Sequence, residues 1–441
     1  MATRTISNAG GNYNATATWV EGVVPTSVDN IAATATSGQL TINVASAARN
    51  IDLTNYNNTI TLNSGLTWTI SGGAFTNTIS STTTFAGAGT MNFSGASSTM
   101  TMNTTSRIPI LAITGGKTFT TNWFCVTLSV ASSGTNNTYN GAFTIDISGN
   151  LGISTNDGYS TATTGLRGDI VFKLTGSGAI AFTHAGGPGR VEMDTSGTYS
   201  TVSQGLILNA TSGPATIPEF RLVNGNLDPS FRIVLLSDGL STSNYNINLA
   251  GSKQFDSLVL SNTFHNAIGV TKNINLDPGN GLNCRNIITA GTTRTFTTDA
   301  SVPNWRFRGG SLSASNVSLV PQFRSTSATG DATYNYLAPS ISLDSDFTHS
   351  FGSIAAIGML QTGSVNTRPV ISSITASTTV NINLISKTSS QCINYNFTDV
   401  NAVGEEIVAI NGTLLRTTNV TNVYPTGATG GVAGGSFTFV N

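Results

Sequence analysis

Two pairs of carboxylates in this 441-residue chain have a spacing that suits acid–base chemistry: Glu192 with Asp194, and Asp344 with Asp346. On a β-strand, residues i and i+2 share one face, about 6.5–7 Å apart. Glycoside hydrolysis commonly uses two carboxyl groups about 5–10 Å apart, one as acid and the other as base or nucleophile. His184 precedes the first pair across a glycine-rich stretch, and His349 follows the second. These four acids are the candidates for glycan cleavage. Against that role, a chain with 20 Asp and Glu places a few of them two apart on solvent-facing strands by chance. Spacing alone also does not separate two pKa values as an acid and a base require. The expectation is a protein that is not an enzyme, with no catalytic residue assigned and these four as the sites to examine first. Asp344 and Asp346 are oxygen ligands of the kind Ca²⁺ takes, but no EF-hand or nonapeptide repeat surrounds them. Glu405 and Glu406 are adjacent, so on a strand they face opposite ways.

The stretch NWRFRGG alternates Trp305 and Phe307 with Arg306 and Arg308. The arginines are a candidate contact for an anion or an acidic glycan; the plainer reading is two core aromatics with snorkelling arginines outside. The glycine-rich stretches at 185–190 and 426–435 lack the lysine of a P-loop and the strand–GxGxxG–helix setting of a dinucleotide site. Cys125, Cys284 and Cys392 are odd in number and far apart, which suits neither a metal cluster nor a disulfide framework. They read as small apolar core residues, and neither cofactor nor metal is expected. The Thr-x-Thr pairs, such as Thr67 with Thr69 and Thr99 with Thr101, are irregularly spaced and follow from strand propensity.

The elements that carry these residues follow from composition and pattern. Charged residues make up 9% of the chain, far below the roughly one quarter of an average domain. Nineteen Lys and Arg against 20 Asp and Glu give a net charge of −1, which excludes a phosphate-binding nucleic-acid partner. Helical bundles need Ala, Glu, Lys and Leu in bulk, whereas Thr, Ser, Asn and Gly fill this chain. Strict apolar/polar alternation, the mark of a half-buried strand, recurs in QLTINV, LTWTIS, AFTIDIS and TTVNINLIS. Gly, Asn and Ser turns separate these runs. The expected class is all-β, a parallel β-helix or related β-solenoid, in which Thr, Ser and Asn stack in ladders between coils at a period of about 20–30 residues. A stack of β-sandwiches is the competing arrangement. In DIVFKL, FRIVLL and SLVLS both faces are apolar, giving a sandwich-like middle whose outer face must meet a sheet, a domain or a subunit. Three regions are expected: 1–135, 136–330 and 331–441.

The segment running from Trp19 through Pro25 to Asp29, followed by GQLTINV, resembles the opening of parallel β-helix proteins of bacteriophage virions and bacterial surfaces. Those proteins often begin with a Trp, a Gly-x-x-Pro turn and an Asp before the first coil. Trp19 is expected to cover the open apolar end that a solenoid must cap. The stretch from Cys392 through Tyr395 and Phe397 to Asp399 looks like a coil of the same type. The resemblance implies a tail fibre, tailspike or capsid-surface fibre. The first residues carry no apolar signal segment, and the densest apolar run, Ile354 to Leu360, is too short to cross a membrane as a helix. Synthesis in a host cytoplasm, release by lysis and residence on a virion surface fit these features. The expected partners are copies of the chain itself, a homotrimer by analogy, then other virion proteins and a host surface glycan. No nucleic acid and no membrane insertion are expected. A polysaccharide depolymerase and a bacterial surface adhesin are the alternative functions.

Overall fold

The computed structural model describes residues 1–72, 76–95, 98–114, 117–132, 138–140, 143–155, 165–166, 170–182, 190–203, 205–210, 217–237, 243–251, 253–261, 271–290, 304–319, 340–357, 370–385, 390–393, 395–404, 407–410, 420 and 423–426. Among them the regular structure is β-strand, apart from one short 3₁₀ turn at Thr16–Thr18. The paired strands are parallel, and the chain is a parallel β-helix. It divides into two compact units, Met1–Asn209 with Gly213–Asp228, and Ala210–Ser212 with Pro229–Asn441.

In the first unit, successive coils build separate walls. One wall is an 8-stranded sheet that begins with Thr3–Thr5, Asn30–Ala32 and Asn50–Leu53. A second, 4-stranded wall runs through Gly11–Asn12, Leu40–Ile42, Thr59–Leu62 and Thr84–Gly87. A third starts at Ser46–Ala48 and passes through Thr67–Ile70, Thr90–Phe93, Ile108–Thr114 and Trp123–Ser132.

The period-2 alternation puts every second side chain inside, and the parallel register then stacks like on like. Ala48, Ile70, Phe93, Ile113, Val130, Ile153 and Phe182 form one such column along successive coils. All are buried. In the second unit, Ile233, Leu258, Ile287, Val317 and Ile354 form another. Each buried Val, Leu, Ile or Phe in these columns contributes roughly 1.5–3 kcal/mol relative to exposure. Outside, asparagines hydrogen-bond from coil to coil: Asn50 to Asn30 at 2.9 Å, Asn273 to Asn244 at 3.0 Å, Asn275 to Asn246 at 2.9 Å and Asn401 to Asn381 at 2.9 Å. A carboxamide carries both donor and acceptor, so one residue type repeated in register can satisfy its own neighbours.

Where strands turn, successive backbones come too close for a side chain. A Cβ on Gly95 would lie 2.0 Å from the Gly72 carbonyl oxygen, and one on Gly176 would lie 1.9 Å from that of Ser148. Of the strands with apolar residues on both faces, FRIVLL and SLVLS are buried on both, whereas in DIVFKL the face of Val171 and Lys173 is only half-buried. Val234 and Val259, on the face opposite the Ile233 and Leu258 column, are 7% and 0% exposed, so that face is buried within the chain itself. Cys125 and Cys284 are buried free thiols, as their apolar reading requires. The Cys392 side chain lies outside the described residues.

Trp19 caps the first unit at its N-terminal end. It is 2% exposed, packs edge-on against Tyr13 with ring centroids 5.3 Å apart, and donates from Nε1 to the Tyr13 carbonyl at 2.9 Å. The segment around it runs antiparallel to the first strand: Ser7 N–H donates to the Thr18 carbonyl at 2.8 Å and Val20 N–H to the Thr5 carbonyl at 2.9 Å. The Glu21 carboxylate accepts the Thr5 N–H at 2.8 Å. The outward edge of the first strand is therefore closed, which removes it as a template for another chain.

Candidate functional site

Glu192 and Asp194 lie on Arg190–Ser203, with Val191 and Met193 buried between and beside them, so both acids face outward as the spacing requires. Their neighbours come from adjacent coils. The register aligns Asp146 with Lys173, Lys173 with Glu192, and Glu192 with Arg221. The result is a column of alternating charge. Lys173 Nζ lies 3.1 Å from Asp194 Oδ2 and 3.5 Å from Glu192 Oε1. The other oxygens are taken too, Glu192 Oε2 by Arg221 at 3.3 Å and Asp194 Oδ1 by the Asn224 amide at 3.1 Å. Alongside, Arg190 pairs with Glu219 at 2.9 Å. The Asn224 and Lys173 hydrogen bonds hold the Asp194 carboxyl below its ordinary value. A general acid for glycoside cleavage needs the opposite shift. This face is an ion-pair lattice in which Asp194 is held toward its ionised form. His184 lies outside the described residues, as do Glu405 and Glu406.

Arg107 extends the lattice. Its guanidinium reaches the Cys125 carbonyl at 3.1 Å, the Asp146 carboxylate at 2.8 Å and Thr175 Oγ1 at 3.2 Å, and so ties together residues of successive coils. Nothing local in the sequence marks Arg107 for this, because its partners lie 18, 39 and 68 residues away.

The second pair does not sit on a strand. The strand Ser340–Leu343 ends before Asp344, and Asp344 and Asp346 occupy the turn that leads to Thr348–Ile357. The expected shared strand face is therefore absent. Asp344 uses its carboxylate as a turn acceptor, taking Gly309 N–H at 3.0 Å and Asp346 N–H at 3.2 Å. His349 is fully buried beneath this turn. Its Nδ1 accepts from Leu312 N–H at 3.1 Å and its Nε2 bonds the Asp344 carbonyl at 2.9 Å, which fixes the neutral Nε2–H tautomer. Burial lowers the His349 pKa. Both His349 and Asp344 serve the turn. No group of three or more His, Cys, Asp or Glu among the described residues is arranged to hold a metal.

Arg306 and Arg308 are placed as the alternation requires. Trp305 and Phe307 are 2% and 0% exposed, while Arg306 is half-buried and Arg308 exposed on the other face. Asn273 and Ser342 flank Arg306 in the adjacent coils, and Asn275 flanks Arg308.

Lys117 is a buried cation that the sequence pattern did not single out. It is 1% exposed, and its ammonium donates to the Gly95 carbonyl and to the Thr114 carbonyl, the latter at 2.9 Å. Desolvation lowers its pKa to about 8. At the N-terminal end, Asp29 accepts Ala2 N–H at 3.1 Å, Thr26 N–H at 3.1 Å and Thr26 Oγ1–H at 2.9 Å. The Thr26 backbone bond leads in holding its carboxyl below the ordinary value. No family model, curated protein or solved structure matches this chain.

Proposed function

We propose that the protein is a structural component of a bacteriophage virion surface, of the fibre, spike or capsid-decorating kind, that presents rigid faces to other virion proteins or to a host surface. The observation that carries this reading is the treatment of charge on the coil. The outward acids of the Glu192 and Asp194 face are matched oxygen by oxygen with Lys173, Arg221 and Asn224, an arrangement suited to stiffness and poorly suited to proton transfer. The continuous apolar columns inside and the asparagine ladders outside support the same reading. So does the N-terminal segment around Trp19, Pro25 and Asp29, which resembles the openings of β-helix proteins of phage virions and bacterial surfaces. In this reading the chain is made in the host cytoplasm, joins copies of itself and other virion proteins, and performs no chemistry.

The test is antibody labelling of particles and cells in electron micrographs, with a reducing-end assay on host envelope polysaccharide. Label on the particle surface and no released reducing ends is the expected result. Label confined to the envelope of uninfected cells would replace this reading with an adhesin. Reducing ends released by the wild type and lost in Asp194→Asn would replace it with a depolymerase.

A further inference from the structure

We propose that the outward face of Asn304–Arg308 binds an acidic polysaccharide through the Arg306 and Arg308 guanidiniums, an inference that rests on the surface-presenting role above. The backbone there is anchored from the inside. Trp305 and Phe307 are buried, and the Trp305 ring lies 6.0 Å from that of Tyr245. The two arginines consequently leave the same face of the strand, their Cα atoms about 6.5–7 Å apart.

Their surroundings contrast with the other charged face. Arg107, Lys173, Arg190 and Arg221 each pair with a carboxylate. Among the described residues, Arg306 and Arg308 have no carboxylate partner, and Arg306 Nε is a buried donor with no acceptor. The coils on either side offer amides and hydroxyls. Asn273 and Asn275 bond to Asn244 and Asn246, and Ser342 bonds to Asn304 at 3.1 Å and Ser372 at 3.0 Å. Asp344, which follows the neighbouring strand, spends its carboxylate on Gly309 and Asp346 N–H groups. Among the described residues, the guanidiniums thus have no anion that a ligand would have to displace.

A guanidinium fork suits carboxylate or phosphate, which it grips with two parallel hydrogen bonds. Two cations in a chain of net charge −1 are too few for nucleic acid. Beside them, Asn273 and Ser342 are buried, but the half-buried Asn275, Asn304 and Ser372 add amides and a hydroxyl that match a hydroxyl-rich chain. These features together specify a polysaccharide carrying sparse anionic groups, either carboxylate or phosphate.

The experiment measures retention of the full chain on immobilised polygalacturonate, on a glycerol-phosphate polymer and on uncharged dextran. Retention on one charged polymer, weakening as salt rises, with none on dextran, is expected. Which charged polymer retains the protein identifies the anion. Arg308→Gln, at an exposed position, should weaken binding about tenfold with an unchanged melting temperature. Arg308→Lys should recover part of that loss, since it restores charge without the fork. Equal retention on dextran, or an Arg308→Gln variant that binds like the wild type, would overturn the inference. Particle labelling without retention on either charged polymer removes this site and leaves the surface role standing. Retention without particle labelling does the reverse.

Discussion

Lys173 Nζ lies within 3.1 Å of Asp194 and 3.5 Å of Glu192, one ammonium bridging the two acids whose spacing suggested catalysis. The relationship converts a candidate acid–base pair into a pair of anions sharing a counterion. Removing the cation should therefore reveal the acids' mutual repulsion. Lys173→Met should cost about 0.5–1 kcal/mol, the scale of a partly exposed ion-pair network. Urea unfolding at low and high salt checks it, and the difference from wild type should shrink at high salt.

Gly176→Ala should destabilise far more, by about 2 kcal/mol or more, because its Cβ would sit 1.9 Å from the Ser148 carbonyl oxygen and backbone must move. Gly251→Ala is the contrast at a glycine where nothing lies within 4 Å of the added Cβ; its cost comes from its positive φ of 73°. Melting temperatures of the two variants compare backbone collision with torsional strain.

Lys117 predicts a pH dependence with a definite sign. Its folded pKa, about 8, lies below the ordinary 10.5. Between those values the unfolded chain holds the proton and the folded chain does not, so this residue makes stability rise with pH. Comparing wild type with Lys117→Met at pH 7.5 and pH 9.5 isolates the effect. The wild type should gain relative to the variant at the higher pH. Tyr56, whose pKa burial raises to about 12, acts in the opposite direction above pH 10 and cancels in the comparison.

His349 acts at the other end of the scale. Its folded pKa is below 6.5, so the unfolded chain takes up the proton first as pH falls, and stability is lost from about pH 6.5 downward. His349→Gln should be less stable than wild type at pH 7.5 and lose less on going to pH 5. Denaturation midpoints at the two pH values decide it.

Trp19→Ala should open the N-terminal cap. Loss of a buried tryptophan costs about 3–5 kcal/mol locally, enough to detach the segment that closes the first strand. Hydrogen exchange should show lost protection at Thr5, Ser7 and Val20, whose N–H groups bond to Glu21, Thr18 and Thr5. Size-exclusion chromatography should show new association through the uncovered edge. An unchanged exchange pattern would mean that the segment is held without its indole.

Much of this structure is local information. A strand's period of two is a property of neighbouring residues, so LTWTIS and NWRFR alone determine that Trp68, Ile70, Trp305 and Phe307 go inside and Arg306 and Arg308 outside. The same reasoning gave the all-β class and the ladder-forming exterior. Register between coils is different, because coil length varies. Thr90 pairs with Ile110, Ile110 with Thr127, Val171 with Arg190 and Arg190 with Glu219. Each step has its own length, so no sequence period shows that Lys173 meets Glu192 or that Arg107 reaches Thr175. Likewise the turn at Asp344 is set by Gly309 and His349, and the burial of Lys117 by the Gly95 carbonyl. The sequence by itself determined which face the side chains of strictly alternating strands such as LTWTIS and NWRFR take. Only the tertiary structure decided which charges meet, because parallel strands join residues separated by whole coils.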